Sequence, residues 1–188
     1  MRFFAKFMLY SILKLNKISL FALYIVLISV LGALESGLRL LNPYKLQSAN
    51  FRHGANFAVA GATALSEQVL EEKKISTSHK SVQLDWMSSH FETTCSTDCT
   101  AKLKKALFLV GEIGGNEFNF GLSQGKTMEE RRSMVPEVLQ TIIQGVRRVI
   151  GFGATQIVLP GNFPIGCIPI SPTQLRTNDS TATMSTTA

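Results

Sequence analysis

Apolar positions form their clearest pattern over residues 136–150, where they recur at three- and four-residue spacing. This spacing places them along one stripe of an α-helix. The stripe consists of Val138, Leu139, Ile142, Ile143, Val146, Val149 and Ile150. Pro136 suits the first turn of such a helix, and Gly151 suits its end. A second helix is predicted over residues 81–91, from apolar positions at similar spacing.

Three shorter apolar runs have the length of buried strands: NFAVAG at residues 56–61, KALFLV at 105–110 and QIVLP at 156–160. Each run ends on, or leads directly into, glycine, which favours a tight turn. Strands that alternate with helices predict an α/β domain with a largely parallel sheet. Ligands of such sheets bind beyond the carboxyl ends of the strands. Gly61 and Asn116 follow two of the runs closely and are therefore candidate site residues.

An uncharged run of 17 residues precedes this pattern, at residues 18–34, and four basic residues lie ahead of it. A basic flank followed by an apolar run is typical of a secretory signal peptide. An uncleaved membrane anchor is the alternative, because the run is near the lower limit for crossing a bilayer. We therefore assign residues 1–36 to a signal peptide or anchor, and expect an extracellular or membrane-anchored protein. Membrane contact is expected only through this segment.

The charge balance changes once this leader is set aside. The chain has 188 residues, enough for one domain, and 45% of them are hydrophobic, which allows a proper core. The net charge of +6 suggests an acidic partner. Four of the 19 basic and one of the 13 acidic residues lie in the first 36, however, which leaves a balance of +3. No basic stripe is interleaved with aromatic residues, so nucleic acid is excluded as a partner.

The cysteines fit an oxidising compartment. Cys95 and Cys99 lie four apart and are able to close a small loop there, while Cys167 stands alone. A zinc site is disfavoured because no second cysteine pair or histidine cluster accompanies them. The triplet at residues 178–180 is a glycosylation sequon, which agrees with a secretory route. No cofactor and no metal ion is predicted.

The stretch GEIGGNEFNFGLSQG, residues 111–125, contains two competing candidates for chemistry. Ser123 fits the G-x-S-x-G pattern of a nucleophile elbow, which requires a strand directly before it. The preceding strand ends near Val110, about a dozen residues too early, so we interpret this match as a surface loop. The amide of Asn116 is suited to donate to a developing oxyanion, with the backbone N–H of Gly61 as a second donor. Spacing alone favours a simpler alternative, in which both are turn residues.

Three segments together carry a resemblance to a known family: HGANFAVAGATAL, LFLVGEIGGNEFNFGLSQGKT and IVLPGNFPIGCIPI. In this order they resemble the plant GDSL esterase/lipases, within the SGNH hydrolases, over residues 37–180. The resemblance implies a flavodoxin-like three-layer α/β/α sandwich with a mainly parallel sheet. It also implies hydrolysis of small-molecule or lipid esters through Ser, Asp and His. The family's oxyanion-hole Gly and Asn correspond to Gly61 and Asn116, and Glu117 stands where the family usually has Asp.

Two motifs of the family are absent from this sequence. It contains neither the Gly-Asp-Ser of the nucleophile nor the Asp-x-x-His of the base, and the scattered His53, His79 and His90 are interpreted as surface or structural residues. We therefore expect an incomplete domain that lacks its first strand and its C-terminal part, with exposed sheet edges that favour aggregation. No significant turnover by the triad is expected. The alternatives are a non-catalytic ligand-binding derivative, secreted or membrane-anchored, and a nonfunctional fragment.

The last residues, 181–188, are predicted to be unstructured. Relatives often continue near this point with Asn-Glu-Tyr-His-Cys. Codons for these five residues, read one base later, give Met-Ser-Thr-Thr and the start of an alanine codon, which matches residues 184–188. We interpret the tail as a shifted reading frame, from a gene-model error or a decayed gene.

Overall fold

The computed structural model describes residues 4–6, 40–46, 48–77, 82–94 and 99–162. This part of the chain contains three short strands and six helices. In chain order they are β1 (Phe4–Lys6), α1 (Glu67–Glu72), α2 (Gln83–Thr94), α3 (Cys99–Lys104), β2 (Leu107–Leu109), α4 (Asn116–Ser123), α5 (Met128–Ser133), α6 (Val135–Gly151) and β3 (Gln156–Val158).

The strands form one parallel sheet in the order β1-β2-β3. Leu107 pairs with Gln156 and Leu109 with Val158, so β2 and β3 lie side by side in direct register. Parallel neighbours need a crossover connection, and the helices α4, α5 and α6 supply it here. The predicted α/β class with parallel strands is confirmed, and β2 and β3 lie within the runs predicted as strands.

The strand β1 comes from the predicted leader. Phe4 pairs with Leu107 and Lys6 with Leu109, along the side of β2 opposite β3. The expected absence of the family's first strand stays a prediction, because β1 belongs to the residues assigned to the leader. The apolar run at residues 18–34 falls outside the described residues. In the described part of the chain, no helix is long and apolar enough to cross a membrane.

Helices α2 and α6 confirm the two helices predicted from apolar spacing. Pro136 lies in the first turn of α6, as its fixed backbone angle favours. The apolar stripe of α6 is only partly buried, however. Val138 and Val149 are buried in the core. Three members of the stripe remain about half exposed: Leu139 (54%), Ile143 (44%) and Ile150 (53%).

The prediction of a strand over residues 56–61 is wrong. Only an isolated parallel bridge forms there, between Pro43 and Asn56. The side-chain Oδ1 of Asn56 accepts a hydrogen bond from the backbone N–H of Ala58 at 2.9 Å. Such local bonding offers the backbone an alternative to a strand ladder. The segment is nevertheless buried, with Phe57 only 1% exposed.

Two buried clusters support the sheet and the helices. Phe108, at the centre of β2, shares one cluster with Met87 of α2 and Val149 of α6. The second cluster joins the region after Gly61 to the start of α6, and its buried members are Leu65, Leu70, Ile75, Met134 and Val138. The loop that follows β2 therefore lies over helices that are packed together.

Candidate active site

The loop that follows β2 turns sharply at two glycines. Gly111 (φ +109°) and Gly114 (φ +96°) both have left-handed backbone angles, which glycine adopts without steric cost. A Cβ at Gly114 would lie 2.8 Å from Val138 Cγ1 and 3.1 Å from Ile142 Cδ1. Helix α6 thus packs directly against this glycine, and the loop is held close to the helix before α4 begins.

Asn116 is the first residue of α4 and is half-buried. Its side-chain Nδ2 donates a hydrogen bond to the backbone carbonyl of Ala62 at 2.7 Å. A carboxamide carries two N–H donors, so this bond fixes the plane of the amide and leaves a second N–H for another acceptor. The bond also joins segments 54 residues apart in the sequence.

Gly61 precedes Ala62 directly and has φ +76°, a conformation that favours glycine. The backbone N–H of Ala62 donates to the carbonyl of Val59 at 3.2 Å, which closes a turn around Gly61. The Asn116–Ala62 hydrogen bond therefore brings the two predicted site residues into neighbouring positions. Their role as an oxyanion hole stays a prediction.

Glu117 also links helix α4 to the segment that follows Gly61. Its Oε1 accepts hydrogen bonds from the backbone N–H groups of Ala64 and Leu65, the latter at 3.0 Å. The side chain is fully buried, and within the part of the chain that the structure describes its Oε2 has no hydrogen-bond partner. Burial raises the pKa of Glu117, although the backbone hydrogen bonds oppose this. A buried carboxyl group thus positions the Gly61 turn next to Asn116.

Two further polar side chains surround the loop, and the sequence reasoning missed both. Gly115 lies against Glu112 and Asn162, since a Cβ there would be 2.9 Å from Glu112 Oε1 and 3.4 Å from Asn162 Oδ1. Burial and the neighbouring Glu117 both raise the pKa of Glu112. Asn162 follows β3 much as Asn116 follows β2, and this parallel placement was the signal that could have found it.

The G-x-S-x-G match carries no nucleophile. Ser123 is the last residue of α4 rather than part of a loop, and it is exposed. Its Oγ donates to the carbonyl of Phe120 at 2.9 Å, as helix-terminal serines commonly do. No strand precedes it within the turn that an elbow requires. Its rejection as a nucleophile is consistent with this placement, while its interpretation as a loop residue is wrong.

The histidines differ in environment. His90 is buried among aromatic rings, including Tyr44 and Phe57, and burial lowers its pKa. This environment confirms the interpretation of His90 as a structural residue. His53 is half-buried, and its Nε2 has no hydrogen-bond partner in the described ranges of the chain. His79 lies outside the described residues.

The predictions about cysteines and termini fall largely outside the described residues. This applies to Cys95, to Cys167, to the sequon at residues 178–180 and to the tail at 181–188. Cys99 begins α3, and only its backbone is described. A disulfide between Cys95 and Cys99 therefore stays a prediction.

Comparison with known proteins gives a consistent picture. The family described as GDSL-like lipase/acylhydrolase matches residues 26–186. The chain is 43% identical over 137 residues to acetylajmalan esterase of Rauvolfia serpentina, covering 70% of this chain and 35% of that protein. It is 45% identical over 132 residues to a GDSL esterase/lipase of Arabidopsis thaliana, covering 66% and 40% respectively. No solved structure matches at a significant level.

These relatives are much longer than the part they share with this chain, which spans only 35% to 40% of their length. The family match nevertheless extends over most of the 188 residues and includes both candidate site residues. The chain therefore belongs to the plant GDSL esterase/lipase family.

Proposed function

We propose that this chain carries the oxyanion-binding half of a carboxylic ester hydrolase. In the complete reaction a serine attacks the ester carbonyl while a histidine takes its proton, and the C–O bond then breaks as the alcohol leaves with that proton. Water hydrolyses the resulting acyl-enzyme, which releases the acid and restores the serine. The backbone N–H of Gly61 and the amide of Asn116 stabilise the negative oxygen that forms. The hydrogen bond from Asn116 Nδ2 to the Ala62 carbonyl carries this proposal, because it holds the amide next to Gly61.

Preorganisation is what makes such donors effective. A donor that already points to the place where charge develops costs no reorganisation during the reaction. The Ala62 carbonyl restrains one N–H of Asn116 at 2.7 Å, and Glu117 restrains the Ala64–Leu65 backbone next to it. The Asn116–Ala62 bond and the Glu117 bonds together limit the movement of the two proposed donors relative to each other.

The sequence as given lacks the remaining catalytic groups. Neither the Gly-Asp-Ser nor the Asp-x-x-His motif of the family is present. We propose that this chain by itself has no significant triad turnover. Its alternative roles are a non-catalytic ligand-binding protein, which a cavity between α2 and α6 supports, and a nonfunctional fragment.

The described sheet is proposed to be part of a larger three-layer α/β/α sandwich. Exposed apolar side chains on α6 and at the end of β3 support this, because a larger sheet with its helices would cover them. These side chains are Leu139, Ile143, Ile150, Val158 and Leu159. The substrate of the complete enzyme is proposed to be a small-molecule or lipid ester, in keeping with the names of the relatives.

Secretory entry is also proposed, with membrane anchoring as its alternative. The basic flank and the uncharged run at residues 18–34 support it, as does the sequon at residues 178–180. Expression in plant cells, followed by N-terminal mass spectrometry and glycosidase treatment, tests this. A mature N-terminus near residue 37 supports cleavage, an intact leader in the membrane fraction supports the anchor, and a soluble intracellular chain with its leader intact contradicts both.

Labelling with a fluorophosphonate probe tests the catalytic proposal. The chain itself should take no label and should not accelerate the hydrolysis of p-nitrophenyl acetate. A chimaera that joins residues 37–162 of this chain to segments carrying the family's Gly-Asp-Ser and Asp-x-x-His motifs should take the label and should hydrolyse p-nitrophenyl acetate. Labelling of the native chain would contradict its predicted inactivity. A folded chimaera that stays unlabelled would contradict the proposed half-site.

A further inference from the structure

A cavity of about 140 Å³ lies between helices α2 and α6, close to the end of β2. Most of its wall is apolar and is formed by Ala64, Leu84, Val110, Ile113, Ile142 and Gly145. An engineered apolar cavity of about 150 Å³ accommodates benzene. The cavity therefore has room for a group of about six non-hydrogen atoms.

One polar group in the cavity wall is buried without a hydrogen-bond partner among the described residues. It is the side-chain Nε2 of Gln83, the first residue of α2, which is 6% exposed. Buried amide groups are almost always hydrogen-bonded, because an unsatisfied donor is costly. The two threonine hydroxyls of the wall are already engaged. Thr63 donates to the Leu65 carbonyl at 2.8 Å, and Thr141 to the Glu137 carbonyl at 2.9 Å.

The charged residues of the cavity neutralise each other. Asp85 and Arg148 form an ion pair at 2.8 Å, and both side chains are partly exposed to solvent. Arg148 also donates to the hydroxyl of Ser88 at 3.0 Å. With both charges paired at the solvent side and apolar groups within, the cavity offers no unbalanced charge to an ionic ligand. It favours a neutral one.

We propose that this cavity is a binding site for a compact neutral molecule or group, about the size of a six-membered ring, that carries one hydrogen-bond acceptor. The acceptor takes the hydrogen bond of Gln83 Nε2, while the apolar wall surrounds the rest. Gly61 and Asn116 do not line this cavity. Binding in this cavity can therefore be tested without any ester hydrolysis, although Thr63, Ala64 and Ile113 of its wall lie within three residues of Gly61 or Asn116 in the sequence.

Pyridine and benzene are matched probes for this site. They have the same shape, but only pyridine carries an acceptor, and it is neutral at pH 7.5. The full chain is titrated with each probe and followed by amide and methyl NMR shifts. We expect saturable shifts at Gly145, Ile113 and Ile142 with both probes. In the variant Gln83→Leu, pyridine should bind up to about tenfold more weakly, because one hydrogen bond is lost, whereas benzene should bind at least as well.

Stability separates a binding role of Gln83 from a structural one. If the amide is kept for a ligand, Gln83→Leu removes an unsatisfied donor and raises the urea midpoint of the free chain. If the amide supports the fold, the midpoint falls. The proposal is overturned if the folded chain shows no saturable shifts, or if the shifts map elsewhere. It is equally overturned if Gln83→Leu affects both probes alike or lowers the midpoint.

Discussion

Replacing Glu117 by alanine should release the turn that contains Gly61 from helix α4. Two backbone donors, those of Ala64 and Leu65, lose their acceptor in this variant. Each buried donor left unsatisfied costs about 1–3 kcal/mol, so the loss of stability should be roughly 2–6 kcal/mol. With a urea m-value of about 2 kcal/mol/M, the unfolding midpoint should fall by about 1–3 M. Urea unfolding at pH 5, followed by circular dichroism, measures this.

The variant Glu117→Gln separates the hydrogen bonds from the charge. Glutamine keeps a carbonyl acceptor for the two backbone donors but never ionises. Burial raises the pKa of Glu117 above its ordinary value of 4.5, so the folded protein holds this proton more tightly than the unfolded chain does. Its contribution to stability is therefore complete below pH 4.5 and decreases as the pH rises through the folded pKa. The slope is at most about 1.4 kcal/mol per pH unit.

Wild type should thus lose stability from pH 5 upwards more steeply than Glu117→Gln. A residual slope should remain in the variant, because burial also raises the pKa of Glu112. Glu92→Ala, on the exposed side of α2, is the matched control and should change stability by less than about 0.5 kcal/mol. The reasoning is refuted if Glu117→Ala behaves like this control, or if the pH slopes of Glu117→Gln and wild type coincide.

Two further substitutions test the packing around the site. Gly114→Ala should cost roughly 2–5 kcal/mol, because its Cβ would overlap Val138 and Ile142 in addition to the left-handed backbone penalty. Gly125→Ala is the control, because Gly125 shares the positive φ but a Cβ there would meet nothing within 4 Å, so its cost should be only about 1–2 kcal/mol. Equal urea midpoints for the two variants would disprove the close contact between Gly114 and α6. Burial lowers the pKa of His90 below 6.5, so the contribution of this residue to stability should decrease as the pH falls below that value, opposite in sign to the contribution of the two buried carboxyl groups. The variant His90→Phe should lack this pH-dependent contribution. Parallel stability profiles of His90→Phe and wild type from pH 7 to 5 would contradict the prediction.

Long periodic segments were predictable from the sequence for a simple physical reason. In helix α6 the apolar spacing repeats over about four turns, which makes the period easy to recognise. KALFLV is a short apolar run, and such a run indicates either a buried strand or a segment of a buried helix. Helices α1, α3 and α5 have six residues each, too few for a period to be recognised. Local signals remain at the starts of two of them: Ser66 caps α1, and Thr127 and Glu130 form a capping box at α5.

The sequence predicted the surroundings of the candidate site only in part. Asn116 and Gly61 were expected at one edge of the sheet because each follows an apolar run. A strand forms before Asn116, but none forms over residues 56–61 before Gly61. The contact between their segments depends on Glu117, whose side chain accepts hydrogen bonds from backbone groups 52 and 53 residues away in the sequence. No periodicity reports such a contact. The same applies to Gln83, since the burial of one amide depends on how α2 packs against α6.

The role of Asn116 in ester hydrolysis is tested by the kcat of Asn116→Ala in the chimaera. Loss of one preorganised oxyanion donor should lower kcat by about 10²–10³-fold, with little change in KM. Asn119→Ala, on the same helix, is the matched control and should retain kcat within about threefold. If Asn116→Ala stays folded and keeps the kcat of the control, Asn116 does not stabilise the oxyanion and the account of this site is wrong.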